Sequence, residues 1–157
     1  MTREEKDIYK ARIINGNRSE LIVVLYDMMF TYMNDAREYY KNDNWDEVKS
    51  TLDHIEAILR RLQEDLNHQY DIAKELYTLY QFSLTELGKC RYKKSLTYMN
   101  GVERIMKNLY VGMKAMCDVD DSLPLMQGTE KVVTGITYGR TSLQDMNYGA
   151  TSRGFYA

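Results

Sequence analysis

Between Asn44 and Leu66 the apolar residues recur in alternating steps of four and three: Val48, Leu52, Ile55, Leu59, Leu62 and Leu66. On an α-helix these side chains form one stripe, whereas on a strand they would scatter over both faces. A stripe this narrow has to be covered by other helices, so the segment reads as the seam of a bundle. Asn44 and Glu47 open it as a capping box, since the glutamate can reach back to the cap residue's own N–H. Asn67-His68-Gln69 closes it.

The flanking segments repeat the pattern. Proline occurs once, at Pro124, so nothing earlier forces a helix to break. A first long helix begins at Ser19, whose hydroxyl suits an N-cap. Leu21, Leu25, Met28, Tyr32, Ala36 and Tyr39 follow at helical spacing, widened by Val24, Met29 and Met33, and Asn42-Asp43-Asn44 ends the run. After the Asn44–Leu66 helix, a third starts near Tyr70 or Asp71. Its seam is Ile72, Leu76, Leu79, Ser83 and Leu87, with Ala73, Tyr77, Tyr80 and Leu84 beside it. Gly88 is its expected stop, because glycine takes the left-handed conformation cheaply. A fourth helix runs from about Lys93 to Met116, with Leu96, Met99, Val102, Met106, Leu109, Met113 and Met116 on one face.

Four helices on short loops predict an all-α, antiparallel up-down-up-down four-helix bundle. Three regions result. Residues 1–18 are an N-terminal cap segment, polar at first, then an apolar island from Ile8 to Ile14 and a turn at Asn15-Gly16-Asn17. Residues 19–117 are the bundle. Residues 118–157 form an irregular tail, rich in Gly, Ser, Thr and Asp. In it Tyr138-Gly139-Arg140-Thr141-Ser142 recurs as Tyr148-Gly149-Ala150-Thr151-Ser152.

The residue inventory excludes most chemistry. The 157 residues fit one domain, and a 44% hydrophobic content supports a core. Basic and acidic residues balance up to residue 117, so no basic stripe for nucleic acid is present. The polar start lacks the apolar core of a signal peptide, and no apolar run is long enough to span a bilayer. Cys90 and Cys117 lack the spacing of a zinc site and read as reduced thiols of a cytoplasmic protein. His54 and His68 are the only histidines, and neither belongs to a Glu-x-x-His pair. Gly88-Lys89-Cys90 imitates the end of a phosphate loop, but Ser83 stands at the earlier glycine and Cys90 at the hydroxyl position. Asp118-Val119-Asp120-Asp121 imitates a calcium loop, but Leu123 occupies the turn glycine and Thr129 the bidentate glutamate. No nucleophile, base or metal set converges, so no enzyme, metal or cofactor is expected.

Apolar surface remains. Ten methionines suit adaptable contacts, though at most positions they fill the core. Fourteen tyrosines exceed what an inner seam needs, and tyrosine is enriched at interfaces. The two-residue-wide stripes on the first and third long helices place apolar residues outward as well as inward.

Two of these segments resemble the flagellar export chaperone family, FliS. Ser19-Glu20-Leu21-Ile22-Val23-Val24-Leu25-Tyr26-Asp27 is similar to its opening pattern. Glu75-Leu76-Tyr77-Thr78-Leu79-Tyr80-Gln81-Phe82 is similar to its third-helix pattern. Ala57-Ile58 with Leu62 and Leu66, and Tyr9 near the start, fit the same order, so the resemblance spans about residues 8 to 116. The chain departs from the family in lacking a proline after the helix cap, in Met28 after Asp27, in Gln81, in Gly88-Lys89-Cys90, in having no tryptophan at the end of the fourth helix, and in its long tail.

The resemblance implies a cytosolic chaperone. It would bind the disordered C-terminal region of flagellin, prevent premature polymerisation and deliver flagellin to the flagellar export apparatus. The implied client surface comprises Tyr9, Ile13, Ile14, Leu21, Ile22, Leu25, Tyr26, Leu76, Tyr77, Leu79 and Tyr80. The island Ile8, Tyr9, Ile13 and Ile14 would cover part of that groove until flagellin displaces it, or else pack on the bundle permanently. The repeated Tyr-Gly-x-Thr-Ser segments of the tail are a second candidate cover. The rival reading is a structural or signalling bundle that self-associates through its first long helix, and a homodimer stays open under either.

Overall fold

Leu59 has no exposed surface at the centre of its helix, and the seam around it closes as its spacing demands. In the computed structural model, which describes residues 1–126, the order is α1 Arg3–Asn15, α2 Arg18–Lys41, α3 Trp45–Glu64, α4 Asp71–Lys93 and α5 Met99–Asp118. A short 3-10 turn, Leu96–Tyr98, leads into α5, and there is no strand among the described residues. The tyrosine-containing repeats of the tail lie outside the described residues.

Three of the helix starts have a local cause in a side-chain cap. Thr2 and Glu5 form a reciprocal capping box on α1, so the N-terminal island is the later part of a full helix rather than a lone turn. Asn17, not Ser19, caps α2 by accepting from the Glu20 N–H at 2.9 Å. Ser19 lies one residue inside the helix and bonds elsewhere. Asn44 accepts from the Glu47 N–H at 3.4 Å to start α3.

The ends are less local. α4 does not stop at Gly88. It runs on to Lys93, because Cys90 has a buried site to fill and the chain turns only at Lys94. Lys94 takes the left-handed conformation at φ 49° and Asp43 does the same at φ 54°, each reversing the chain after a helix as a glycine usually would. The fourth bundle helix likewise begins at Met99, later than the apolar pattern suggests, because residues 96–98 wind as the 3-10 turn.

The helices pack in a ring. α2 rests on α3 and α5, and α4 rests on α3 and α5 from the other side. Val48, Leu52, Ile55, Leu59 and Leu62 of α3 meet Tyr26, Met29, Met33 and Ala36 of α2, Tyr80, Leu84 and Leu87 of α4, and Met99, Val102 and Met106 of α5 in one core. On α4 the core falls between the two expected rows. Ala73, Tyr80, Ser83, Leu84, Leu87 and Cys90 are buried, while Ile72 at the exposed first turn is 62% accessible.

Ion pairs fasten the rim. Arg37 at the end of α2 pairs with Glu103 at the start of α5, and Arg91 of α4 reaches Asp53 and Glu56 of α3. These groups are partly solvated, so each pair adds little to stability while fixing which ends meet.

Truncating Leu59→Ala should lower unfolding free energy by about 3 kcal/mol, the usual cost of an unfilled core site. Ile72→Ala should stay within about 0.5 kcal/mol, as for exposed positions generally. Urea unfolding followed by circular dichroism checks both.

Candidate functional site

α2 carries a second stripe opposite its core face. Glu20, Val24, Asp27, Thr31 and Asp35 follow one another at steps of four and three. Val24 has no accessible surface and yet is not part of the central core, nor is Val23. α1 packs along α2, and its bonds to Glu20, Asp27 and Thr31 place it over the stripe that holds Val24.

The seat of α1 is held by polar groups. Tyr9 and Thr31 share a hydroxyl–hydroxyl bond of 2.8 Å. Arg12 reaches two carboxylates at once: its Nε donates to Glu20 at 2.8 Å and its Nη1 to Asp27 at 2.6 Å. A planar guanidinium suits such double engagement. Burial works against the charges here, but the paired hydrogen bonds and opposite charges outweigh it. The Glu20 carboxyl is held below its ordinary value and Arg12 above its own. Burial and the neighbouring Asp27 push the Tyr110 phenol up to about 12. The Cys117 thiol donates to Glu20 at 3.3 Å, and burial followed by that carboxylate raises it.

By contrast, α1 contributes no buried residue. Ile8 is 58% and Ile14 53% exposed, and Tyr9 and Ile13 are half-buried. The helix therefore covers a mostly polar stripe of α2, with Val24 buried within it, while burying little of itself. At its end Gly16 is tightly enclosed: a Cβ there would stand 2.7 Å from the Arg12 carbonyl oxygen and from Glu20 Cγ. Only glycine fits that approach.

The remaining expected site residues divide. Leu21, Ile22 and Leu25 of α2 are half-buried, and Ile22 and Leu25 lean on the central core. On α4, Leu76 and Leu79 are half-buried and Tyr77 is 45% exposed. Tyr26 and Tyr80 are inside. Their hydroxyls bond to each other at 2.7 Å across the core, joining α2 to α4, and burial raises both phenols. The ring of Tyr26 also meets Phe30 and Tyr110 at 6.4 and 6.1 Å. The expected residues thus form no single patch. Tyr9 and Ile13 lie over the outer face of α2, and the α4 residues lie beyond the core from them.

Sequence reasoning missed Arg12, Asp27 and Thr31. The spacing of Glu20, Asp27 and Thr31 marks a face, but only the folded chain puts Arg12 over it. His54 meets Tyr32 edge-to-face with ring centres 4.7 Å apart, and His68 lies 6.3 Å from the Tyr77 ring. No group of three or more metal-ligating side chains gathers among the described residues. The arrangement places α1 over one face of α2 and leaves half-covered apolar side chains on α2 and α4.

Tyr26→Phe and Tyr80→Phe should each cost about 1–2 kcal/mol, because each strands the other hydroxyl in the core. The double variant should cost less than the two combined, and a double-mutant cycle by urea unfolding measures the difference.

A family model described as flagellar protein FliS matches residues 3–118. No curated protein matches the chain.

Proposed function

The chain belongs to the FliS family of flagellar proteins, and from that premise we propose that it is a cytoplasmic export chaperone for flagellin. It binds the disordered C-terminal region of flagellin, keeps it from polymerising early and hands it to the export apparatus. It acts by binding alone and performs no catalysis.

One observation carries this reading. The outer face of α2 holds the buried Val24 and is covered by a helix none of whose residues is fully buried. A client helix seated there would cover Val24 and would also have to satisfy Glu20 and Asp27, the carboxylates that Arg12 leaves. Recognition would then be helix-in-groove, with the client folding as it binds. Ordering the client costs about 1–2 kcal/mol per residue, which offsets the gain from burial and keeps the cargo releasable.

The wider surface follows from the same logic. We read the long helices α2 to α5 as an antiparallel up-down-up-down bundle, supported by the pairing of Arg37 near the end of α2 with Glu103 near the start of α5. Candidate contacts then lie on both sides of the bundle: Leu21, Ile22 and Leu25 along α2, Leu76, Tyr77 and Leu79 on α4, and Tyr9, Ile13 and Ile14 on α1 once it has left its seat. A client that touches them all must wrap around the protein, which an unfolded segment can do. Tyr26 and Tyr80 enter this proposal as the buried pair that fixes α2 against α4 beneath the contact surface.

A peptide of the flagellin C-terminal region should bind in calorimetry and speed proteolysis near Tyr9 as α1 leaves its seat. Unchanged cleavage at saturation would remove the displacement step. Arg12→Ala should tighten peptide binding by roughly tenfold, since weakening the closed state raises the competent fraction. If flagellin fails to co-purify and the chain self-associates instead, the rival reading of a structural bundle takes its place.

A further inference from the structure

The hinge between α1 and α2 is fastened from more than a hundred residues away. Asn17 serves two ends with one amide group. Its Oδ1 accepts from Glu20 N at 2.9 Å to cap α2, and its Nδ2 donates to the carbonyl oxygens of Asp120 at 3.0 Å and Ser122 at 3.3 Å. The Leu125 N–H donates to the Gly16 carbonyl at 3.1 Å. Ser19 donates to the Asp120 carboxylate. Residues 120–125 therefore run across the hinge and bond to both of its residues.

This segment is held by those bonds and not by burial. Val119 is 78%, Leu123 76% and Leu125 53% exposed. It also lies beyond residue 118, where the family match ends. So a piece outside the shared family unit grips the one point about which α1 would have to swing.

We propose that residues 120–125 are a clasp that holds the α1–α2 hinge shut and thereby sets how readily α1 uncovers α2. This rests on the reading of α1 as a displaceable cover. Gly16 adds to the closeness of the hinge: a Cβ there would meet the Arg12 carbonyl oxygen and Glu20 Cγ at 2.7 Å, and the Gly16 carbonyl takes the Leu125 bond. Releasing the clasp frees the hinge without touching the Arg12 pairs or the core.

Two full-length variants separate the clasp from the cap. Asn17→Asp keeps an oxygen to cap α2, since aspartate caps as well as asparagine, but loses the donor to residues 120 and 122. Leu125→Pro removes the N–H that reaches Gly16 and leaves α2 untouched. Hydrogen–deuterium exchange is read on α1 and on α3, without any client. In each variant α1 amides should exchange about tenfold faster, as expected when one or two hydrogen bonds holding a local closed state are lost, with α3 unchanged. Unaltered α1 exchange in both variants overturns the clasp. So does a wild-type chain that binds the flagellin C-terminal peptide no more weakly than either variant. If the wild type binds no peptide at all, the chaperone reading fails, and faster α1 exchange still upholds the clasp as a hinge lock.

Discussion

A helix with buried groups on two opposite faces cannot rest on one core. α2 is such a helix. Tyr26, Met29, Met33 and Ala36 face the bundle, and Val24 faces away from it among Glu20, Asp27 and Thr31, all five of the apolar residues without accessible surface. Burying Val24 is favourable at about 25 cal/mol per Å2, and the polar groups beside it need partners. α1 is the cover, and its placement decides the rest: where Arg12 falls, why Gly16 has no room for a side chain, and why the chain after α5 can reach the hinge. A one-faced α2 would leave α1 with no seat.

The molecule answers its two kinds of contact differently. Inside, polar groups are matched in closed sets. Tyr26 and Tyr80 satisfy each other, and no buried side-chain nitrogen or oxygen among the described residues lacks a partner. Outside, α1 and residues 120–125 are tied by half-solvated charges and hydrogen bonds that water can replace at modest cost. The core is therefore held more firmly than α1, and the proposed displacement of α1 by a client relies on that difference.

Much of the fold was legible because α3 obeys a single rule. Its apolar residues face one way, so spacing alone found the seam, and Val48, Leu52, Ile55, Leu59 and Leu62 are all buried. The errors arose where tertiary contact chooses between local equivalents. Asn17 and Ser19 are both good caps two residues apart, and only the reach to Asp120 assigns Ser19 a different task. Gly88 signals a stop, yet one glycine in a helix costs only about 1 kcal/mol, and burying Cys90 outweighs it. On α4 two parallel apolar rows were visible, and the core took the strip between them. The tyrosines were the least legible. A phenol on a surface and a phenol bonded to another phenol inside a core look alike in sequence, so Tyr26 and Tyr80 could be read as surface residues. The seat of Arg12 on two carboxylates had no local signature, since it exists only once α1 lies along α2.

Asn17 also imposes an order in time. The bond that caps α2 joins residues three apart, and it can form as soon as that stretch of chain exists. The bonds to Asp120 and Ser122 join residues 103 and 105 apart. A chain made from its N-terminus folds its early parts first. On a ribosome α2 would be capped long before residues 120–125 emerge, and through that interval the hinge is free. With residues 120–125 as the proposed clasp, the newly made protein would pass through an unlocked stage that the finished one leaves behind.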